Sequence, residues 1–257
     1  MISTSFSLYK DQIISLFLRE LKLKYKNTFL GFFWSILTPL SQMIVLYLVF
    51  GIYMRFNIPN YILYLVAGLF LWQSFSNLVF SGLNCFLSNG PLMKKLACPR
   101  SVFVWAALFS EIFHLLLTIP MTMLIMVFSG VPFSGNLFLL FPLLFLFILF
   151  SSGVIMLVGT IQMLFRDMER LISIFLQLLF YVTPVFYPEN IVPEKYAFLM
   201  KINPVYCFIK GWRMAFSYEY PDSSWNILLN CTISTVIFVL LGGALYLLKR
   251  KKFAEVL

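Results

Sequence analysis

The sequence predicts an all-α integral membrane protein with six transmembrane helices, an N-terminal amphipathic helix at the interface, and re-entrant outer helices between spans five and six. Composition, the length of the apolar runs and the placement of the basic residues carry that prediction. Of the 257 residues, 61% are hydrophobic and only 11% are charged, where soluble domains carry about 45–50% apolar and about 25% charged residues. A water-soluble core of this length has no room for so much apolar surface. The apolar residues fall into runs of about 20, enough helix to cross about 30 Å of hydrocarbon. A transmembrane barrel would instead show alternating segments of about 10 residues. Helices also let each span satisfy its own backbone hydrogen bonds where no water is present.

The spans are read in order as 33–54, 61–83, 102–128, 137–165 with Pro142 near its start, 171–187 interrupted by Pro184, and 225–248. With the N-terminus on the cytoplasmic side, the inner segments hold 14 Lys and Arg residues and the outer segments 5. This excess places both termini in the cytoplasm and agrees with an even number of crossings. The same bias accounts for the net charge of +9 without a nucleic-acid partner. No cleavable signal peptide is expected, because the first long apolar run follows a charged segment and no small-residue cleavage site comes after it.

Two segments depart from a plain six-span bundle. Residues 8–26 place Ile14, Phe17, Leu18, Leu21 and Tyr25 on one helical face and Ser15, Arg19, Lys22 and Lys26 on the other, with Leu16 and Leu23 breaking the pattern. This describes a basic amphipathic helix in the inner interface, serving as an anchor or as a docking element. The outer stretch 188–224 is too long for a turn and too charged for a span. Its apolar residues, broken by Asn203 and Pro204, predict two short half-buried helices that dip back into the protein. Irregular backbone at membrane depth is tolerated only where protein or a wet cavity surrounds it, so this stretch reads as a channel mouth.

Chemistry-bearing motifs are few. No Walker A sequence, HExxH, GxSxG or paired-cysteine site is present, so no catalytic residue, metal site or bound cofactor is expected. Cys85, Cys98, Cys207 and Cys231 are scattered, without the spacing of a metal site or disulfide framework. Glu111 and His114, three residues apart on span three, form an intramembrane ionisable pair, readable as an interhelix hydrogen bond or as a proton relay. Ser35, Thr38 and Gln42 form a polar stripe on span one, and Ser173, Gln177 and Tyr181 form another on span five. Each stripe is either a helix contact or the lining of a wet path. Tyr181, Phe186 and Tyr187 are candidate rings for stacking on sugar.

Three motifs resemble one family. The run LKYKNTFLGFFWSILTPL, Leu23 to Leu40, resembles the signature entering the first span of polysaccharide-export ABC transporter permeases, the membrane subunits of O-antigen, capsule and teichoic acid exporters. GPLMKKLACPRSVF, Gly90 to Phe103, resembles their loop between spans two and three, with Cys98 where an aromatic residue is usual. FYVTPVFYP, Phe180 to Pro188, followed by INPVYCFIKGWR, Ile202 to Arg213, resembles the end of span five and the outer gate helices. The resemblance covers nearly the whole chain as a single permease domain, 1–257, and is closest to the O-antigen type.

It implies a homodimer with two copies of a separate ABC ATPase subunit that binds the ATP, a lipid-linked polysaccharide as cargo, and a place in the inner membrane among its lipids. It assigns contact with the ATPase to the amphipathic helix and the loop 84–100, hence to Arg19, Lys22, Lys24, Lys94, Lys95 and Arg100, with Arg166 and Asp167 as a second contact or a salt-bridged turn. It makes the two polar stripes channel-lining, and it makes Phe186, Tyr187, Asn203, Pro204, Trp212 and Arg213 the outer gate. A permease for another cargo (teichoic acid, capsule, drug or lipid) and a membrane-embedded lipid-modifying enzyme are the alternatives.

Overall fold

The structure is a computed structural model that describes residues 2–95, 99–133, 135–216, 223–250 and 253. Cys98, Lys251, Lys252 and the side chain of Lys95 lie outside the described residues. Every regular element among those described is helical: α1 (Ile2–Tyr25), α2 (Trp34–Leu46), α3 (Tyr61–Leu87), α4 (Gly90–Lys95), α5 (Ser101–Phe128), α6 (Leu140–Leu164), α7 (Met168–Val182), α8 (Ala197–Ile202), α9 (Pro204–Ala215) and α10 (Ser224–Lys249). α2 continues into a π-helical stretch, Tyr47–Tyr53.

Among the described residues five helices are long and apolar enough to cross a membrane: Trp34–Tyr53, Tyr61–Leu87, Ser101–Phe128, Asn136–Leu164 and Ser224–Lys249. The expected fifth span is not among them. α7 has 15 residues, about 22 Å of helix at 1.5 Å per residue. It stops because Pro184 forces the residue before it out of the helical region, and Thr183 is extended at φ −82°, ψ 132°.

α3 is the centre of the bundle. Leu65, Leu71, Leu83 and Phe86 are fully buried along it, with α5, α6 and α9 packed around it. α6 also packs along α10. In contrast, α2 buries only Pro39 and α7 only Leu176. Glycine sets how closely the inner helices cross. A Cβ on Gly242 of α10 would overlap the carbonyl oxygen of Gly153 on α6, and one on Gly159 would come within 2.7 Å of the Gly82 carbonyl oxygen on α3. Small residues at such crossings bring backbones into van der Waals contact, the main attraction between helices in lipid.

The bundle has two distinct ends. At one, Phe86 stacks on Tyr246 and meets Phe253, with the Arg100 guanidinium over the Phe253 ring; α1 and α4 lie here, and this is the basic end. At the other, the segment after α7 meets the start of α3, and α9 returns beside it.

This second end solves a backbone problem. Beyond Val182 the chain is not helical, so the carbonyls of Pro184, Val185, Phe186 and Tyr187 need partners from elsewhere. Arg213 on α9, 1% exposed, supplies two of them. Its Nη1 donates to the Pro184 oxygen at 2.8 Å, its Nη2 to the Val185 oxygen, and its Nε to the Tyr64 oxygen at 3.2 Å. The guanidinium stacks on the Tyr64 ring, 3.4 Å from its centroid. The Tyr64 hydroxyl donates to the Tyr187 oxygen at 2.8 Å and the Tyr61 hydroxyl to the Phe186 oxygen at 2.6 Å. Gly68 leaves the space: a Cβ there would stand 2.5 Å from Nη2.

Two outcomes follow from this packing. Gly242→Val should push α10 off α6 and destabilise the protein by about 1–3 kcal/mol or more, as overpacking does, whereas Gly243→Val, with nothing within 4 Å of its Cβ, should be silent. Arg213→Lys replaces a three-pronged donor by a point charge and should cost about 1–3 kcal/mol for the carbonyls left unpaired. Thermal unfolding in detergent, read by a thiol-reactive dye on buried Cys85 and Cys231, checks both.

Candidate functional site

At the basic end, α1 is bonded into the protein as well as being amphipathic. Its inward face is only in part the apolar stripe read from the sequence: Phe17, Leu21 and Tyr25 are half-buried, with Phe17 edge-on to Phe113 and Tyr25 against His114. Leu16, which broke that pattern, is the buried residue at 7% exposure, while Ile14 and Leu18 on the stripe are 42% and 47% exposed. The helix therefore carries two faces: Tyr9, Ile13 and Leu16 pack on the core, and Ile14 and Leu18 point away from it, where they suit lipid.

Polar contacts fix this docking. The Tyr9 hydroxyl is 3.0 Å from the Ser101 hydroxyl. Arg19 Nη1 donates to Asn89 Oδ1 at 2.6 Å, and Asn89 Nδ2 donates to Glu20 and to the Cys85 carbonyl. Lys24 Nζ lies 3.1 and 3.3 Å from the two carboxylate oxygens of Glu111. The Tyr25 hydroxyl lies 3.1 and 3.2 Å from the ring nitrogens of His114. Burial pushes the Tyr25 phenol above its ordinary pKa, opposed by a hydrogen bond with Ser35 and reinforced by the Glu111 charge.

Glu111 and His114 are 6% and 5% exposed. Of the two readings of this pair, the interhelix contact is the one built, and its partner helix is α1. The Lys24 ammonium is held by Glu111 while 37% of its side chain remains exposed. Removing the ammonium would strand the buried Glu111 carboxylate, at a cost below that of a fully buried pair because of that exposure.

Beside this latch lies a polar cleft of about 310 Å³, lined in part by Lys24, Trp34, Ser35, Thr38, Gln73 and Asn77. Two residues of the span-one stripe, Ser35 and Thr38, thus face Gln73 and Asn77 of α3, where Gln73 Nε2 donates to Asn77 Oδ1 at 3.2 Å. Gln42, the third residue of that stripe, does not line the cleft. Gln73 and Asn77 were missed in the sequence reading, although an i, i+4 amide pair inside an apolar run was visible. Ser173, Gln177 and Tyr181 share the exposed side of α7, and none of them reaches the cleft within one chain.

The other basic-end residues divide by exposure. Lys22, Lys94, Arg166 and Asp167 are exposed, and Arg100 is half-buried over Phe253. The loop 84–100 contains the last turn of α3 and the short helix α4. Among the described residues no ion pair forms within 166–170, so the segment is not a salt-bridged turn.

At the opposite end, Asn203 caps α9 by accepting from the Val205 backbone N–H at 3.0 Å, and its Nδ2 donates to Thr183 Oγ1 at 2.6 Å. Pro204 stands at the first helical position, where its missing N–H costs nothing. Trp212 is buried edge-on to Phe216. Phe186 sits among the rings of Phe50, Phe180, Tyr181 and Tyr187. α9 is largely buried, whereas α8 buries only Met200.

Comparison with known proteins places this architecture. The family model described as ABC-2 type transporter matches residues 11–217. An O-antigen export system permease protein RfbA of Klebsiella pneumoniae is 31% identical over 96% of this chain and 95% of its own length. The RfbA of Myxococcus xanthus is 28% identical over 96% of this chain and 95% of its own. A polysialic acid transport protein KpsM of Escherichia coli is 25% identical over 96% of both chains. The family match runs from within α1, through the latch and the cleft, to the end of α9, and the chain belongs to the ABC-2 type transporter family.

Proposed function

We propose that this chain is the membrane subunit of an ATP-driven exporter of a lipid-linked, O-antigen-like polysaccharide, and that ATP is hydrolysed by a separate ABC subunit. The observation that carries this is the end-to-end similarity to permeases named for O-antigen export, at 31% identity, above the 25% shared with the polysialic acid transporter. Two copies of this chain pair, with two ATPase subunits on the basic side, in the cytoplasmic membrane with both termini inside. α7 and the stretch to Tyr187 serve as the sixth crossing.

The sparsely buried helices α2 and α7 support the pairing. They carry the polar stripes and have little to pack against within one chain, so a second copy completes a path lined by Ser35, Thr38, Gln42, Ser173, Gln177 and Tyr181. The glycan end approaches the cleft at the basic end and leaves past the capped segment at the gate end. Exposed Lys22, Lys94 and Arg166 suit the ATPase contact. α1 then passes the ATPase motion first to α5 through Lys24–Glu111 and Tyr25–His114, and to α2 through the cleft wall.

The test is expression of this chain with its partner ATPase in a host lacking its own exporter, with surface polysaccharide measured by antibody. ATP-dependent surface glycan is expected; an assembled complex that exports none would sink the proposal. In the same assay Lys24→Glu should reduce export by about 5–150-fold, the range of a coupling of about 1–3 kcal/mol. Lys24→Glu combined with Glu111→Lys should recover much of it, as a directly interacting pair does in a double-mutant cycle.

A further inference from the structure

A second cleft, at the opposite end from the latch, has no part in the proposed path. It holds about 580 Å³ between the C-terminal part of α8, α9 and the first half of α10. Its α10 wall carries Asn226, Asn230 and Ser234, spaced by four residues and so in one line about 12 Å long. Among the described residues none of these side chains has a hydrogen-bond partner, whereas Thr232 and Thr235 on the same helix donate to their own helix's carbonyls. Unpaired amides on the outside of a spanning helix are costly in hydrocarbon, so the line is built for a polar occupant.

The charge at its head is positive. Lys201 is exposed at the rim, without an ion pair among the described residues. Lys210 lies in the cleft, 3.4 Å from Glu189 Oε2 and over the Tyr206 ring. Beside the amides the wall also carries Ile227 and Leu229, and beyond Asn230 it is mainly aliphatic, Ile233 and Ile237 with Ser234 between them, continuing onto the exposed Val236 and Leu240 of α10. From head to foot the surface passes from ammonium to amide to aliphatic.

We propose that this cleft is a binding site for a phospholipid with an anionic headgroup, its phosphate against Lys201, its glycerol and ester groups along Asn226 and Asn230, and its tails on Ile233 and Ile237. Charge complementarity and the order of the polar and apolar parts select an anionic amphiphile over a free sugar, which has no use for the aliphatic foot. The site holds a membrane lipid and is separate from the cargo path.

The full-length chain, purified in mild detergent, is offered equal phosphatidylglycerol and phosphatidylcholine, and retained lipid is counted by native mass spectrometry. Preferential retention of phosphatidylglycerol is expected. Lys201→Gln and Asn230→Leu, both at exposed positions that leave the core intact, should each lower it by about tenfold, the effect of losing one charge-assisted or buried polar contact. Lys195→Gln, outside the cleft, should not. Equal retention of the two lipids, unchanged retention in both cleft variants, or displacement of the lipid by millimolar inorganic phosphate alone would each overturn the lipid site. So would efficient disulfide crosslinking between copies through Asn230→Cys in membranes, which would put a second chain in the groove.

Discussion

A backbone that leaves its helix inside a packed bundle must find a partner for each carbonyl it frees, and this protein meets that demand at Pro184. The segment from Pro184 to Tyr187 has no helix of its own, and Arg213, Tyr64 and Tyr61 together receive its four carbonyl oxygens. Arg213 can do this because α9 folds back against α3, because Gly68 leaves it space, and because the Tyr64 ring gives its cationic face a surface. The return of α9, the position of α7 and the packing of α3 are therefore one constraint seen from three helices. Asn203 closes the arrangement from the other side, capping α9 while donating to Thr183.

The basic end rests on a different principle. Its segments are held by charge and hydrogen bonds, and the strongest contacts cross between α1 and the spans. Lys24 and Tyr25 stand at the last turn of α1, where they reach Glu111 and His114 one helical turn apart on α5. The pair is half-exposed at Lys24 and buried at Glu111, so it is screened less than a surface bridge and desolvated less than a core one. A helix held this way is tied to α5 by its last turn, while Ile14 and Leu18 on its other side stay exposed.

Much of this was legible in the sequence. Span limits were readable because hydropathy has one dominant cause, the thickness of the bilayer. α2, α3, α5, α6 and α10 accordingly fall within a few residues of the runs read for them. The break at Pro184 was legible because proline restricts its neighbour whatever surrounds it. The orientation of α1 was legible in part, since Phe17, Leu21 and Tyr25 of its apolar stripe turn inward while Ile14 and Leu18 do not. Leu16 looked like an error in the pattern because a one-helix periodicity cannot tell a face that meets lipid from a face that meets protein, both being apolar. The partner of Glu111 was hidden for a related reason: a contact between positions 24 and 111 is set by tertiary approach, and neither residue marks the other. Gln73 and Asn77 were visible but were read past as part of a long apolar run.

The two clefts show how one rule separates path from perimeter. In the cleft beside the latch the polar groups already answer one another: Gln73 donates to Asn77, Thr38 to the Trp34 carbonyl, and Lys24 to Glu111. Such a wall can face water or a passing glycan without demanding a fixed guest, which is what a route needs, since cargo bound tightly at one point does not move on. Along the outer half of α10 the amides have no such internal partners, so their surroundings must supply a lasting one. Internally satisfied polar surface suits transit and unsatisfied polar surface suits residence, and that is the physical difference between the two clefts.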